Sequence, residues 1–372
     1  MDKTIENIFL VNLGVRRPER VLVFADVVRQ DEEISGADRV RREGARAVAK
    51  RAAEAGAAFA KTSYVEFPAG GSHGKEPPVI LWEAAFGIDI VKRLKEEKVL
   101  EPLISKTAGE SEVASAEAIV NEMREDTVDC VVALSNYSTT HTRFRKLLTD
   151  CAGARYASMP NFEESMLDGV MKADWGKVKA RTIKVRDMMN GADSVKIETP
   201  NGTSIRFSIK GRSVIADTGI LIEEGSSGNL PAGEAFVAPV EGSAEGVLVL
   251  DWAPMRKLSS PVKLTVQAGT VTGVSGEEEY VKVLEAKLAE NPLCGNIAEL
   301  GVGTNDMATR ADNILESEKI LGTVHIALGD NSTFGGKVSV PFHQDFVFFG
   351  PTLEIEKDGK KSFILRKGVP AA

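Results

Sequence analysis

Apolar residues fall into two kinds of run along this chain, and the change from one to the other divides it. Arg20–Asp26 (RVLVFAD) is a short apolar run ended by an acid and reads as a buried strand. Gly36–Ala57 is rich in Ala, Arg and Glu and predicts a helix, and Ala58–Phe67 predicts a second strand. Helical patterns recur in Pro77–Glu97 and Ser111–Arg124, a buried strand in Asp129–Leu134, a basic helical pattern in Arg143–Ala152, and a strand in Ala154–Met159 closed by Pro160. Strands separated by helices predict βαβ units and a mostly parallel sheet. Phe162–Met189 reads as one long helix or two short ones.

Past residue 190 the runs shorten and become β-branched. Ser194–Glu198, Ser204–Lys210, Ala235–Pro239, Gly246–Asp251 and Val262–Ala268 are separated by Gly, Asn, Ser and Pro, and Pro200-Asn201-Gly202 is a hairpin signal. Gly276–Glu290 reads as one isolated helix with three acids in its first turn, where they favour the helix dipole. The pattern predicts an α/β domain with a mostly parallel sheet over residues 1–190. It predicts an α+β domain dominated by antiparallel strands over residues 191–372.

Composition narrows the function classes. With 43% hydrophobic and 27% charged residues, the chain has the make-up of a folded globular protein. A net charge of −8 argues against nucleic acid held through a broad basic field. Cys130, Cys151 and Cys294 stand far apart, which argues against a disulfide framework or a thiolate zinc site. No apolar run reaches the length of a membrane span, so no membrane partner is expected. The start, MDKTIENIF, carries acids and no apolar segment of the signal-peptide kind, and a cytoplasmic location is the expectation.

The four histidines index the chemistry: His73, His141, His325 and His343. His325 stands in a strand-like apolar run, Val324–Gly329. His343 and Asp345 form an HxD pair before Phe346–Phe349. In a strand, residues i and i+2 share a face, so the imidazole and the carboxylate can converge. Nitrogen and carboxylate donors of this kind suit zinc, cobalt, manganese or iron(II). Glu234 and Glu299 are acids embedded in apolar sequence, where a carboxylate is costly unless it meets a cation or several donors. Glu316 and Glu318 lie on the approach to His325, and either could be a general base. Gly301-Val302-Gly303 lacks the further glycine of a dinucleotide fingerprint. Gly329–Lys337 reads as a mobile loop between two ligand-bearing segments. Ser135–Thr142 reads as a loop with Thr140 or Thr142 capping the next helix, or as a grip for an anion.

The segments GNLPAGEAFVAP (228–239), AELGVGTN (298–305), GTVHIALG (322–329) and HQD (343–345) resemble, in order and spacing, the aminopeptidase T family of metallo-aminopeptidases, which includes the aminopeptidase S enzymes. Ser138–Arg145 and ARYASMP (154–160) are similar to that family's N-terminal domain. The resemblance implies a homodimeric hydrolase that removes N-terminal residues from peptides with a metal-activated water. It implies two divalent ions (zinc, cobalt or manganese) on Glu234, Glu299, His325, His343 and Asp345. The family places its catalytic Glu five residues before the first His, where this chain has Ile320, so the role falls to Glu318. A tyrosine of the family is Ser332 here, and only 18 positions separate the two histidines, as in a shorter leucyl-aminopeptidase-like branch. The same superfamily resemblance reaches 2,5-dihydroxypyridine dioxygenases, which hold a single iron on two His and one Asp, the residue types of His325, His343 and Asp345. A non-catalytic relative that keeps the fold is the third alternative.

Overall fold

Arg20–Val27 is buried along nearly its whole length because both faces of its sheet are covered, which is why it is a continuous apolar run rather than an alternating one. The computed structural model describes residues 2–371. The chain divides into two compact units. The first runs to Trp175 and takes in Gly219–Pro231; the second comprises Gly176–Thr218 and everything from Ala232 onward.

The first unit holds a five-stranded parallel sheet in the order Lys61–Pro68, Arg20–Val27, Cys130–Ala133, Arg155–Ser158, Ser227–Asn229. Helix Gly36–Gly56 begins where Ser35 Oγ accepts the amide of Asp38, and it buries a stripe of Ala45, Val48, Ala49, Ala52 and Ala55. An aromatic group of Phe24, Trp82, Phe86, Phe144 and Tyr156 forms part of this core, with Trp82 and Phe86 stacked at 5.2 Å. The helix expected over Pro77–Glu97 is two, Val79–Phe86 and Ile88–Glu96, parted at Gly87 with φ +86°. The Phe162–Met189 segment is likewise interrupted. Short turns at Glu164–Leu167 and Val170–Lys172 flank Gly169, whose φ and ψ of −112° leave the helical region, and only Trp175–Met189 is a regular helix.

The second unit holds two antiparallel sheets. The larger has eight strands in the order Thr270–Ser275, Arg256–Gln267, Glu245–Ala253, Ser204–Ser208, Ser194–Glu198, Thr352–Lys357, Lys360–Arg366, Val369–Pro370. The smaller has five: His343–Phe348, Val324–Gly329, Ile297–Gly303, Glu234–Val237 and Ile215–Asp217. Apolar residues of both, among them Ile197, Leu250 and Leu264 from one and Val302, Ile326 and Phe348 from the other, share one core. The α/β plus antiparallel-β architecture expected from the sequence is the one observed. The acids of 277–279 precede the Tyr280–Glu290 helix instead of filling its first turn. Glu278 pairs with Arg256 and accepts the amides of Ser259 and Ser260, an alternative use that outcompetes a helix-end contact. Among the described residues no helix is long and apolar enough to cross a membrane.

Candidate metal centre

The smaller sheet of the second unit is two-faced. Val324, Ile326 and Leu328 of one strand, with Leu300 and Val302 of the next, point into the core. The alternate positions carry His325, Ala327, Glu299 and Gly301. Register brings these into rows. Glu299 lies opposite Ala327, which lies opposite Asp345; Gly301 lies opposite His325; His343 pairs with Gly329. The register slips between Ile297 and Glu299, so Ala298 is an extra residue and Glu299 turns onto the face of the two histidines. Glu234 enters from the next strand, opposite Gly303 and Asp217.

The five sequence-predicted donors meet on this face as two triads sharing one carboxylate: Glu234, Glu299 and His325, and Glu299, His343 and Asp345. His325 Nε2 lies 3.2 Å from Glu234 Oε2 and 3.2 Å from Glu299 Oε1. His343 Nε2 lies 3.5 Å from Glu299 Oε2 and 3.5 Å from Asp345 Oδ2. The His343 Nδ1–H donates to the Asp330 carbonyl at 2.8 Å, so Nε2 is the nitrogen that would meet a metal once its proton is lost. The two ends differ in access: the His325 side chain is 1% exposed and that of His343 32%.

Charge and burial set the protonation. Burial opposes charge on both rings, yet Glu299 and Glu234 push His325 up to about 9, and Asp345 and Glu299 push His343 up to about 10. Burial likewise works against the Asp345 carboxylate, but the adjacent His343 holds its pKa well below the usual range. Burial raises Glu299. Glu234 Oε2, Asp345 Oδ1 and His325 Nδ1 are buried without a hydrogen-bond partner. Buried carboxylate oxygens without donors are costly unless a cation meets them, and this face has the donors to hold one.

Lys319 escaped notice in the sequence. It stands in Glu316-Ser317-Glu318-Lys319, which looks like a solvated charge run, yet it has no exposed surface. Its Nζ donates to Glu234 Oε1 at 2.8 Å and to Glu318 Oε2. Burial pushes the Glu318 carboxyl up to about 8, with Lys319 pulling the other way. Glu316 Oε1 accepts the amides of Thr309 and Arg310 and clamps their loop. The Gly329–Lys337 segment is pinned, because Asp330 accepts from Ser332 and Val340 and Asn331 Oδ1 accepts from Val338. Within it Phe334 packs edge-on against the His343 ring at 5.9 Å.

His73 and His141 belong to the first unit. His73 Nδ1 accepts the amide of Ser138. Thr142 is the helix cap, and the anion at that helix start is internal: Glu76 accepts the amides of Arg143 and Phe144.

A model of the 2,5-dihydroxypyridine 5,6-dioxygenase family matches residues 84–369. A 2,5-dihydroxypyridine 5,6-dioxygenase of Pseudomonas putida KT2440 is 26% identical in an alignment of 183 residues that covers 45% of this chain and 52% of that protein. The chain thus matches about half the length of this curated relative. The solved 2,5-dihydroxypyridine dioxygenase of Pseudomonas putida KT2440 has a TM-score of 0.70 at 18% identity, over 100% of this chain and 96% of that one. Wild-type AmpT of Thermus thermophilus has a TM-score of 0.56 at 15% identity, over 100% and 98%. Both are likenesses of fold.

These findings overturn the aminopeptidase expectation, and with it the hydrolase, the peptide substrate and the family first suggested by the motifs. AmpT is a distant neighbour in fold. The physical reason lies in where the motifs sit. Residues 298–305, 322–329 and 343–345 are strand segments that aim donors at one face, and 234–237 adds another. They bring candidate metal donors together on one face, and one scaffold can carry different chemistries.

Proposed function

This chain belongs to the 2,5-dihydroxypyridine 5,6-dioxygenase family, and on that premise we propose that it is an iron(II)-dependent dioxygenase that opens the ring of a hydroxylated pyridine. One observation carries the reading: the family match over residues 84–369 takes in every donor of the cluster. His325, His343 and Asp345 would hold a single ion, the two-imidazole, one-carboxylate set that suits non-haem iron(II) and leaves open positions. Iron(II) bound there would supply the redox chemistry that lets O2 react with a closed-shell aromatic ring.

The rest falls to the chain's own groups. His343 is held by the Asp330 carbonyl on one side and by the edge of Phe334 on another, so its donor nitrogen is aimed before anything binds. Glu299 bridges the two rings, with Oε1 at 3.2 Å from His325 Nε2 and Oε2 at 3.5 Å from His343 Nε2. The exposed edge of His343 marks the side from which substrate and O2 would arrive. Glu318, a buried carboxylate that accepts from Lys319, is the group proposed to take the proton of a ring hydroxyl.

Protein loaded anaerobically with iron(II) should consume one O2 for each 2,5-dihydroxypyridine lost, followed by oxygen electrode and by ring absorbance. Ring loss without O2 uptake, or no turnover across mono- and dihydroxypyridines, would overturn the proposal.

A further inference from the structure

A buried ammonium is costly unless carboxylates surround it, and Lys319 has three about it. Its Nζ donates to Glu234 and Glu318, and Asp217, opposite Glu234 in register, adds negative charge nearby. Glu234 is divided between this lysine and the cluster. Oε1 takes the ammonium, while Oε2, buried and without a hydrogen-bond partner, lies 3.2 Å from His325 Nε2. Together with Glu299 this is a complete donor triad for a cation, next to the triad of Glu299, His343 and Asp345. A divalent ion on Glu234 Oε2 would share its carboxylate with the ammonium on Oε1, and like charges that close disfavour one another.

We infer that the Lys319 ammonium takes the place of a second metal ion beside Glu234 and limits the cluster to the single ion proposed above. This rests on the single-ion reading above and explains why a face with donors for two ions would serve a one-ion reaction. Lys319 is a positioning residue: it acts through Glu234, which it withdraws from metal binding.

The test counts ions. Metal-free wild type, Lys319→Arg and Lys319→Met are titrated with cobalt(II) without O2, followed by visible absorption, then gel-filtered and analysed for metal. Lys319→Met should bind one ion more per chain than wild type and Lys319→Arg, because Glu234 and Glu318 lose their cation and recruit another. Equal numbers in all three would overturn the inference. The wild-type count separately tests the single-ion reading: one supports it, and none or two contradicts it whatever the variants do. If Lys319→Met does not fold, Glu234→Gln decides. Cobalt affinity within about tenfold of wild type supports the inference, since Glu234 is then no ligand, and a larger loss overturns it.

Discussion

Gly301→Ala places one methyl group under the proposed metal centre. Gly301 faces His325 across paired strands, and a Cβ there would lie 1.9 Å from Nε2, 2.0 Å from Cε1 and 2.8 Å from Cδ2 of the ring. Ordinary contact begins near 3.4 Å, so the ring must retreat by about 1.5 Å. The atoms struck are the far end of a side chain, so the strand pairing can survive at an overpacking cost of about 1–3 kcal/mol. The imidazole cannot keep its place. Its contacts with Glu234 and Glu299 are at 3.2 Å, and a displacement of this size removes both. Loss of an oriented ligand should weaken metal binding by at least about 100-fold, or roughly 3 kcal/mol. Anaerobic metal titration beside a thermal melt separates the two effects. Gly273→Ala is the control, since its nearest neighbour would be 3.8 Å away. Wild-type metal affinity in Gly301→Ala, with the fold intact, would refute the placement of His325 in the centre.

Other expectations follow from the same geometry. His325 and His343, held at about 9 and about 10 in the metal-free protein, carry protons at neutral pH. Their contribution to stability is complete below the ordinary value of 6.5 and is lost as pH rises through the raised values, so the metal-free melting temperature should fall over that window. A metal must displace these protons, so its affinity should rise between about pH 6 and pH 9 and binding should release protons into weak buffer; a flat profile would contradict this. Phe334→Ala removes the ring that packs on His343 and on Phe236 and should weaken metal binding by up to about tenfold, or about 1.4 kcal/mol, in the same titration. In the first unit, Arg42 is 2% exposed and pairs with both oxygens of Glu32. Arg42→Met should cost about 3–5 kcal/mol in a urea unfolding series, because the carboxylate is left without its partner, while the metal count stays unchanged.

The candidate donors were legible because a strand's period of two makes its geometry local. His343 and Asp345 share a face by spacing alone, and Glu234 and Glu299 are conspicuous as acids in apolar runs. The parallel sheet was legible for a similar reason: Arg20–Val27 and Cys130–Ala133 are continuous apolar runs because both faces are covered. What stayed hidden depends on contacts distant in sequence. Lys319 looks solvated until Glu234, 85 residues away, is placed beside it. Gly301 looks like half of a failed nucleotide motif until His325 is placed over it. The hairpin of Thr352–Lys357 and Lys360–Arg366 announces itself by Asp358-Gly359, a turn signal left unused. The choice between hydrolase and dioxygenase was beyond the motifs, since they describe the face that holds a metal and say little about what approaches it.

The most direct test of ring-opening dioxygenation is isotopic. Iron(II)-loaded protein is given 2,5-dihydroxypyridine under 18O2, and the product is weighed by mass spectrometry. Both labelled atoms should appear in one ring-opened product. A product with one labelled atom or none, or an unopened ring, would contradict the assignment.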